Sequence, residues 1–148
     1  MNAILATGYG SPEVLEFQSV AKPVAKNSEV LVKVYATAVT RADAMMRTGK
    51  PYAARLMLGL TKPKNGTPGT GFAGVVEAVG SEVENFQIGD RVFGETAMGF
   101  RANAEFLVIP ENGVVLKMND NMTFSFSPSE SYMRLKSTSW PERMQALA

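Results

Sequence analysis

Short segments with a side-chain period of two, each ended by glycine, proline or asparagine, fill most of this sequence and limit the folds open to it. The clearest is 29–36, EVLVKVYA, in which valine occupies alternate positions. Such alternation is typical of a β-strand with one buried face. The other predicted strands are 2–6, 15–19, 72–79, 91–93, 104–109 and 114–117. Many short strands with regular turn signals predict a small, mainly β barrel or sandwich.

Two segments break the strand pattern. Residues 40–47 lack the alternation and are rich in Ala, Met and Arg, which are good helix formers, so a short helix is predicted there. Thr40 can cap its first turn, and Gly49 can end it. Residues 51–60 can add a second helical turn or two.

The composition changes at Ser125. Six of the 24 residues from 125 to 148 are serine, whereas residues 1–124 contain four serines. The apolar residues of this stretch keep neither the strand period nor the helical period. We therefore expect one domain, 1–124, followed by a serine-rich tail, 125–148.

Charge and composition exclude several kinds of partner and chemistry. Fifteen basic and 14 acidic side chains leave a formal charge of +1, so we expect no nucleic-acid partner and no membrane-surface partner. No apolar run approaches the ~18 residues that span a bilayer, and the N-terminus lacks secretory signal features, so a soluble, cytoplasmic protein is predicted. Because cysteine and histidine are both absent, disulfides, thiolate catalysis and imidazole chemistry are excluded.

Gly69, Gly71 and Gly74 form a literal GxGxxG pattern. A dinucleotide fingerprint needs a strand before these glycines and a helix after them. Here the loop-like TKPKNGTP precedes the pattern and the strand-like VVEAVG follows it. The glycines therefore predict a bend and a close backbone approach at the entry to a strand, not a phosphate-binding turn.

Four segments, taken in order, resemble one protein family: GYGSPEVLEF, EVLVKVYATAVTRAD, PGTGFAGVVEAVGSEVENFQIGDRVFG and ANAEFLVIPENGVVLKM. They are similar to the N-terminal, GroES-like catalytic domain of the medium-chain dehydrogenase/reductase superfamily, in its zinc-independent, quinone-oxidoreductase-like branch. The resemblance implies a partly open GroES-like β-barrel with one or two short helices. It also implies hydride transfer between NADPH or NADH and a carbonyl, enone or quinone. Many family members are homo-oligomers.

The same resemblance assigns the site. In zinc-dependent relatives a metal-ligating cysteine occupies the position of Thr40 and a histidine that of Thr70, so no metal site is expected here. In the zinc-free branch the position of Thr40 contacts the cofactor, Asp43 matches the family's acid, and Glu95 and Thr96 match the loop near the nicotinamide. These four residues are the predicted cofactor contacts.

Without a metal, a hydroxyl group would stabilise the developing oxyanion, and the candidates for this catalytic role are Thr40, Tyr52 and Thr70. Plainer roles compete with these assignments. Thr40 can be a helix cap, Asp43 can be a structural acceptor at the surface, and Tyr52 can be a packed or partly exposed aromatic. Asp90 is expected to fix a turn through its own backbone.

Full family members continue into a Rossmann domain that binds the cofactor, and the sequence after residue 124 shows no strand, turn and helix of that kind. The Rossmann domain is therefore expected to be absent, so that the chain alone binds no NADP or NAD and turns over no substrate. Self-association is expected to cover the exposed surface. The alternative is a non-enzymatic GroES-like binding or assembly module that uses the loop 49–69.

Overall fold

The computed structural model describes residues 1–64, 66–96, 101–119, 121–124 and 133–134. Its strands are β1 (Asn2–Ala6), β2 (Leu15–Ser19), β3 (Glu29–Val39), β4 (Gly71–Val79), β5 (Arg91–Glu95), β6 (Phe106–Pro110), β7 (Val114–Lys117) and β8 (Met133–Arg134). Its helices are α1 (Arg41–Thr48) and α2 (Arg55–Leu58), with 3-10 turns at Pro12–Val14 and Tyr52–Ala54.

One long strand organises the main sheet. The strand order is β6-β3-β4-β5-β7, and β8 pairs with the end of β3. Register shifts in the β3–β4 pair at Leu31/Val32 and at Val34/Ala36 bend the sheet into a curled half-barrel. β1 and β2 form a separate hairpin, which an isolated bridge from Ala3 to Ala104 ties to the rest. The predicted mainly β, partly open barrel with short helices is confirmed.

Every strand pair among the described residues is antiparallel. A Rossmann domain is built from parallel strands joined by crossover helices. The part of the chain that the structure describes therefore contains no Rossmann unit.

Each strand from β3 to β7 contributes to a single core. The buried apolar side chains of this core are Val30, Val32, Val34, Phe72, Val76, Val92, Ala102, Leu107, Ile109 and Val115. Phe72 is the largest fully buried side chain. Phe72 lies on β4, the central strand of the sheet. Removing its ring from water stabilises the packing of β4 in the core by about 2 kcal/mol.

Five strand boundaries differ from the predicted ones. β4 begins one residue earlier, β5 ends two residues later and β6 ends one residue later than predicted. The other two are the end of β3 and the start of β6. β3 runs three residues beyond 36, because Thr37 and Ala38 continue to pair with Phe72 and Gly71 of β4. β6 begins at Phe106 instead of 104, since Ala104 makes only an isolated bridge. At the end of β3 and at the start of β6, pairing with a distant strand sets the boundary. Local alternation in the sequence does not report that pairing.

The predicted turn role of Asp90 is confirmed. Its Oδ2 accepts a hydrogen bond from Gln87 N at 2.9 Å, and Lys117 Nζ lies 2.8 Å from the same oxygen. The serine-rich tail, 125–148, falls outside the described residues except for β8. Among the residues that are described, no helix combines the length and the apolarity needed to cross a membrane.

Candidate functional site

Thr40 begins α1 as predicted. Its Oγ1 accepts a hydrogen bond from Ala42 N at 3.1 Å, while its own backbone N donates to Asp43 Oδ2 at 2.6 Å. This reciprocal capping satisfies N–H groups that a helix leaves unpaired at its first turn. At the other end Gly49 adopts the left-handed conformation, with φ 61°, and its N–H donates to Met46 O. The position of Gly49 as the helix end is therefore also confirmed.

Asp43 is buried, and the expectation of a surface acid was wrong. Only 4% of its surface is exposed. Besides the cap bond, Oδ2 accepts from Thr40 Oγ1 at 3.0 Å, and Oδ1 accepts from Gly69 N at 2.9 Å. The carboxylate therefore joins the start of α1 to a turn 26 residues further along the chain, which is a structural acceptor's role.

Burial raises the pKa of the Asp43 carboxyl above its ordinary value of 3.8, and the hydrogen bonds from Thr40 and Gly69 offset part of that rise. Removing a charge from water disfavours the ionised form, whereas donors aimed at the oxygens favour it. The carboxyl also borders a cavity of about 70 Å³ shared with Val39, Arg47 and Pro68. Asp43, together with Thr40 and the turn at Gly69 and Thr70, is called the Asp43 cluster, and Asp43 is its one ionisable side chain.

The turn that Asp43 holds carries Thr70. Gly69 has φ 102°, and a Cβ there would lie 2.7 Å from Asn103 N, so the turn requires glycine. Thr70 is 7% exposed, and its carbonyl oxygen accepts a hydrogen bond from Thr96 N at 2.8 Å. Thr96 Oγ1 lies 3.2 Å from the same carbonyl oxygen. Thr40, Thr70 and Thr96 are thus linked through Asp43 and the Gly69 turn.

Two further polar residues support this turn, and the sequence analysis did not single them out. Asn103 is 1% exposed, and its backbone N donates to Pro68 O at 3.0 Å. Thr37 Oγ1 lies 2.9 Å from Asn103 Oδ1 and 3.0 Å from Gly71 O. Their only sequence signal is a polar residue between small apolar ones, as in Ala36-Thr37-Ala38, which does not reveal the partner 66 residues away.

The GxGxxG glycines serve packing, as predicted. Gly71 begins β4, so a strand and not a helix follows the motif. A Cβ at Gly74 would lie 2.1 Å from Lys33 O on the neighbouring β3. The absence of side chains therefore lets two strands approach closely.

The remaining predicted site residues, Glu95 and Tyr52, lie outside the Asp43 cluster. Glu95 ends β5 and is exposed, although it pairs in register with Gly71 at the entry to β4. Tyr52 is 66% exposed, and its ring lies 4.9 Å from the guanidinium carbon of Arg55. The contacts of Tyr52 thus lie beyond the C-terminal end of α1, away from Thr40. Within the described residues, no group of three or more Asp, Glu, Cys or His side chains is arranged to hold a metal ion.

The raised pKa of Asp43 makes a testable prediction for stability. Because the folded-state pKa lies above the unfolded value near 3.8, the contribution of this group is complete below that pH and is lost as the pH rises through the folded-state pKa. Urea denaturation across a range of pH gives the unfolding free energies of the wild type and of Asp43→Asn. The wild-type value minus the Asp43→Asn value should fall as the pH rises. A difference that grows with pH would contradict this assignment.

The fold is a curled antiparallel half-barrel in which a helix cap after β3 is joined to a glycine turn before β4. The family model for the alcohol dehydrogenase GroES-like domain matches residues 26–120. The chain therefore belongs to this family, and the GroES-like fold implied by its motifs is confirmed.

Known proteins identify the branch. Quinone oxidoreductase from Sus scrofa is 44% identical over 94 residues, covering 63% of this chain and 26% of that protein. The structure of the quinone oxidoreductase from Coxiella burnetii superposes with a TM-score of 0.73 at 28% identity, covering 84% of this chain and 38% of that chain. The structure of Escherichia coli quinone oxidoreductase in complex with NADPH superposes with a TM-score of 0.71 at 25% identity, covering 84% of this chain and 35% of that chain.

These matches confirm the resemblance to medium-chain quinone oxidoreductases. The chain spans between 26% and 38% of the length of these three relatives. The matched part is their N-terminal region, which carries the GroES-like domain.

Proposed function

We propose that this chain forms the catalytic-domain wall of a zinc-independent oxidoreductase, which transfers hydride between NADPH or NADH and a small carbonyl, enone or quinone. One observation carries the proposal. The buried Asp43 carboxylate binds both Thr40 and the backbone N of Gly69, so it ties the helix cap at Thr40 to the turn that carries Thr70. Preorganised hydroxyl groups of this kind are what a metal-independent reduction of a carbonyl requires.

The residues of the wall fit a nicotinamide nucleotide. The hydroxyl of Thr40 donates to Asp43 Oδ2 and accepts from Ala42 N, which leaves one acceptor lone pair. Thr40 therefore suits an N–H of the carboxamide or the O–H of a ribose hydroxyl. Thr96 and Glu95, at the end of β5, would flank the same ring, while Thr70 would face the oxygen of the substrate. The bound cofactor supplies the hydride, and the protein supplies orientation and a dry surface.

Tyr52 has a more peripheral role in this proposal. Its ring is exposed and stacks near Arg55, so it would contact the outer part of a substrate instead of the reacting oxygen. The alternative of a non-enzymatic assembly module gains no support from the part of the loop 49–69 that is described, because the loop is tied to the turn after β1, where Tyr9 Oη donates to Gly59 O at 2.6 Å.

We also propose that the protein works in the cytoplasm as a homo-oligomer. The absence of cysteine suits a reducing compartment. Exposed apolar residues on β7, Val114 at 59% and Leu116 at 60%, offer a surface that self-association would cover.

A chimaera tests the proposed function. Residues 1–124 would replace the matching N-terminal region of the Sus scrofa quinone oxidoreductase, and NADPH oxidation by a quinone would be followed by absorbance. We expect turnover by the chimaera, and a loss of about 100-fold in kcat/KM when Thr40 and Thr70 are both changed to alanine. The 148-residue chain alone, titrated with NADPH, should show no micromolar affinity, because the described residues form only one wall of the proposed cleft.

The control for this experiment is Thr61→Ala, which removes an exposed threonine hydroxyl outside the Asp43 cluster. It should leave kcat/KM within about twofold of the unchanged chimaera. Unchanged kinetics in the double variant would refute the assigned roles of Thr40 and Thr70. Tight NADPH binding by the chain alone would refute the incomplete cleft.

A further inference from the structure

A second cleft lies at the opposite end of α1 from Thr40. Its volume is about 480 Å³, and its walls are the turn after β1 and the segment after α1. Its lining includes Tyr9, Ser11, Arg47, Thr48, Lys50 and Arg55. Because α1 has eight residues, the cleft lies about 12 Å from Thr40 along the helix. The cleft shares Arg47 with the cavity beside Asp43. Its lining does not include Thr40, Asp43 or Thr70, so its function does not depend on the oxidoreductase proposal.

Positive charge is concentrated in this cleft. Arg47, Lys50 and Arg55 all line it, in a chain whose total formal charge is +1. Among the described residues, no carboxylate forms an ion pair with any of the three. The exposed Glu13 senses Arg47 only weakly, since its lowered pKa is due first to a hydrogen bond from Ser11 and last to the Arg47 charge. Within the described part of the chain, the three cations thus have no ion-pair partner.

Both guanidinium groups are held in place by the fold. Arg55 Nε donates to Gly49 O at 3.1 Å and Nη2 donates to Thr48 O at 3.3 Å, while its guanidinium carbon lies 4.4 Å from the centre of the Tyr9 ring. Arg47 Nη1 donates to Gly10 O at 2.6 Å. A guanidinium has five N–H donors in a rigid fork, so each arginine keeps donors for an acceptor in the cleft.

Helix capping explains only part of this arrangement. Arg55 binds carbonyl oxygens at the end of α1, which stabilises the negative end of the helix. Lys50 makes no such contact: its side chain is exposed and forms no hydrogen bond or ion pair with the described residues. A third cation facing two fixed guanidinium groups costs electrostatic free energy through like-charge repulsion unless an anion joins them.

We propose that this cleft binds a small organic anion, whose carboxylate or phosphate group is held by Lys50 and by the remaining N–H groups of Arg47 and Arg55. Planar guanidinium forks match the oxygens of either group. Three cations favour a ligand with more than one negative charge. Ser11 and Thr48 also line the cleft, although the Thr48 hydroxyl donates to Ala44 O at 2.8 Å and the Ser11 side chain bonds Glu13.

Pyrophosphate and citrate are the probes, each titrated into the 148-residue chain at low ionic strength and followed by amide NMR shifts. We expect saturable shifts at residues 9–11 and 48–50, with a Kd of about 1 mM or tighter for at least one probe. Saturation by pyrophosphate alone assigns a phosphate ligand, and saturation by citrate alone assigns a carboxylate ligand. No saturation up to about 10 mM of either would overturn the proposal.

A charge-matched pair of variants decides whether the cleft itself binds. Lys50→Gln should raise the Kd by about threefold or more, whereas Lys26→Gln, which removes an exposed lysine outside the cleft, should leave it unchanged. Arg55→Lys keeps the charge and loses the fork, so it should also weaken binding. Equal effects of Lys50→Gln and Lys26→Gln would show diffuse attraction to net charge and would refute the site; this comparison stands even where Arg55→Lys unfolds.

Discussion

Replacing Asp43 with alanine should lower the free energy of unfolding by about 3 kcal/mol. The change leaves Gly69 N, which is buried, without its acceptor, and it removes the acceptor for Thr40 N at the helix start. Each buried donor without a partner costs about 1–3 kcal/mol, and the lost carboxylate also leaves a small void. Urea denaturation followed by circular dichroism measures the loss.

Two further variants separate this effect from the loss of a charge. Asp43→Asn keeps one acceptor oxygen and the shape, so it should cost about half as much as alanine. Glu77→Gln removes an exposed carboxylate that pairs with Lys22 at the surface, and it should cost less than about 1 kcal/mol. If Asp43→Ala were no more harmful than Glu77→Gln, Asp43 would not be the link between α1 and the Gly69 turn.

The second large effect is expected at Gly74. A Cβ there would lie 2.1 Å from Lys33 O and 2.9 Å from Lys33 C, which are backbone atoms of the neighbouring strand and cannot rotate away. Gly74→Ala should therefore force β3 and β4 apart and cost about 3 kcal/mol or prevent folding. The same denaturation experiment reports it.

Gly8→Ala is the matched control for this change. No heavy atom lies within 4 Å of a Cβ built at Gly8, so the effect should stay within about 0.5 kcal/mol. Comparable losses in the two variants would mean that the cost comes from lost glycine flexibility and not from the contact between strands.

Much of the fold was predictable because its signals are local. The alternation of 29–36, the turn residues between strands, and the Thr40 and Gly49 ends of α1 each depend on residues a few positions apart. The GxGxxG pattern was interpreted correctly for the same reason, since its immediate neighbours are loop-like before it and strand-like after it.

The candidate site was predictable only in part. Family resemblance selected Thr40, Asp43 and Thr70, but local sequence placed Asp43 at the surface, because a single acid on a short helix carries no sign of burial. The structure buries it, since Gly69 donates to it from 26 residues away. The local signal of the polar pair Thr37 and Asn103, a polar residue between alanines, does not reveal that the two side chains meet.

The sequence by itself determined the strand and helix pattern, the absence of cysteine and histidine, and the family to which the chain belongs. Only the tertiary structure decided that a buried carboxylate joins Thr40 to the Thr70 turn, and that Arg47, Lys50 and Arg55 share one cleft. The physical reason is distance along the chain. Strand alternation and helix caps depend on neighbouring residues, whereas a buried hydrogen bond or a shared cleft exists only after packing brings distant segments into contact.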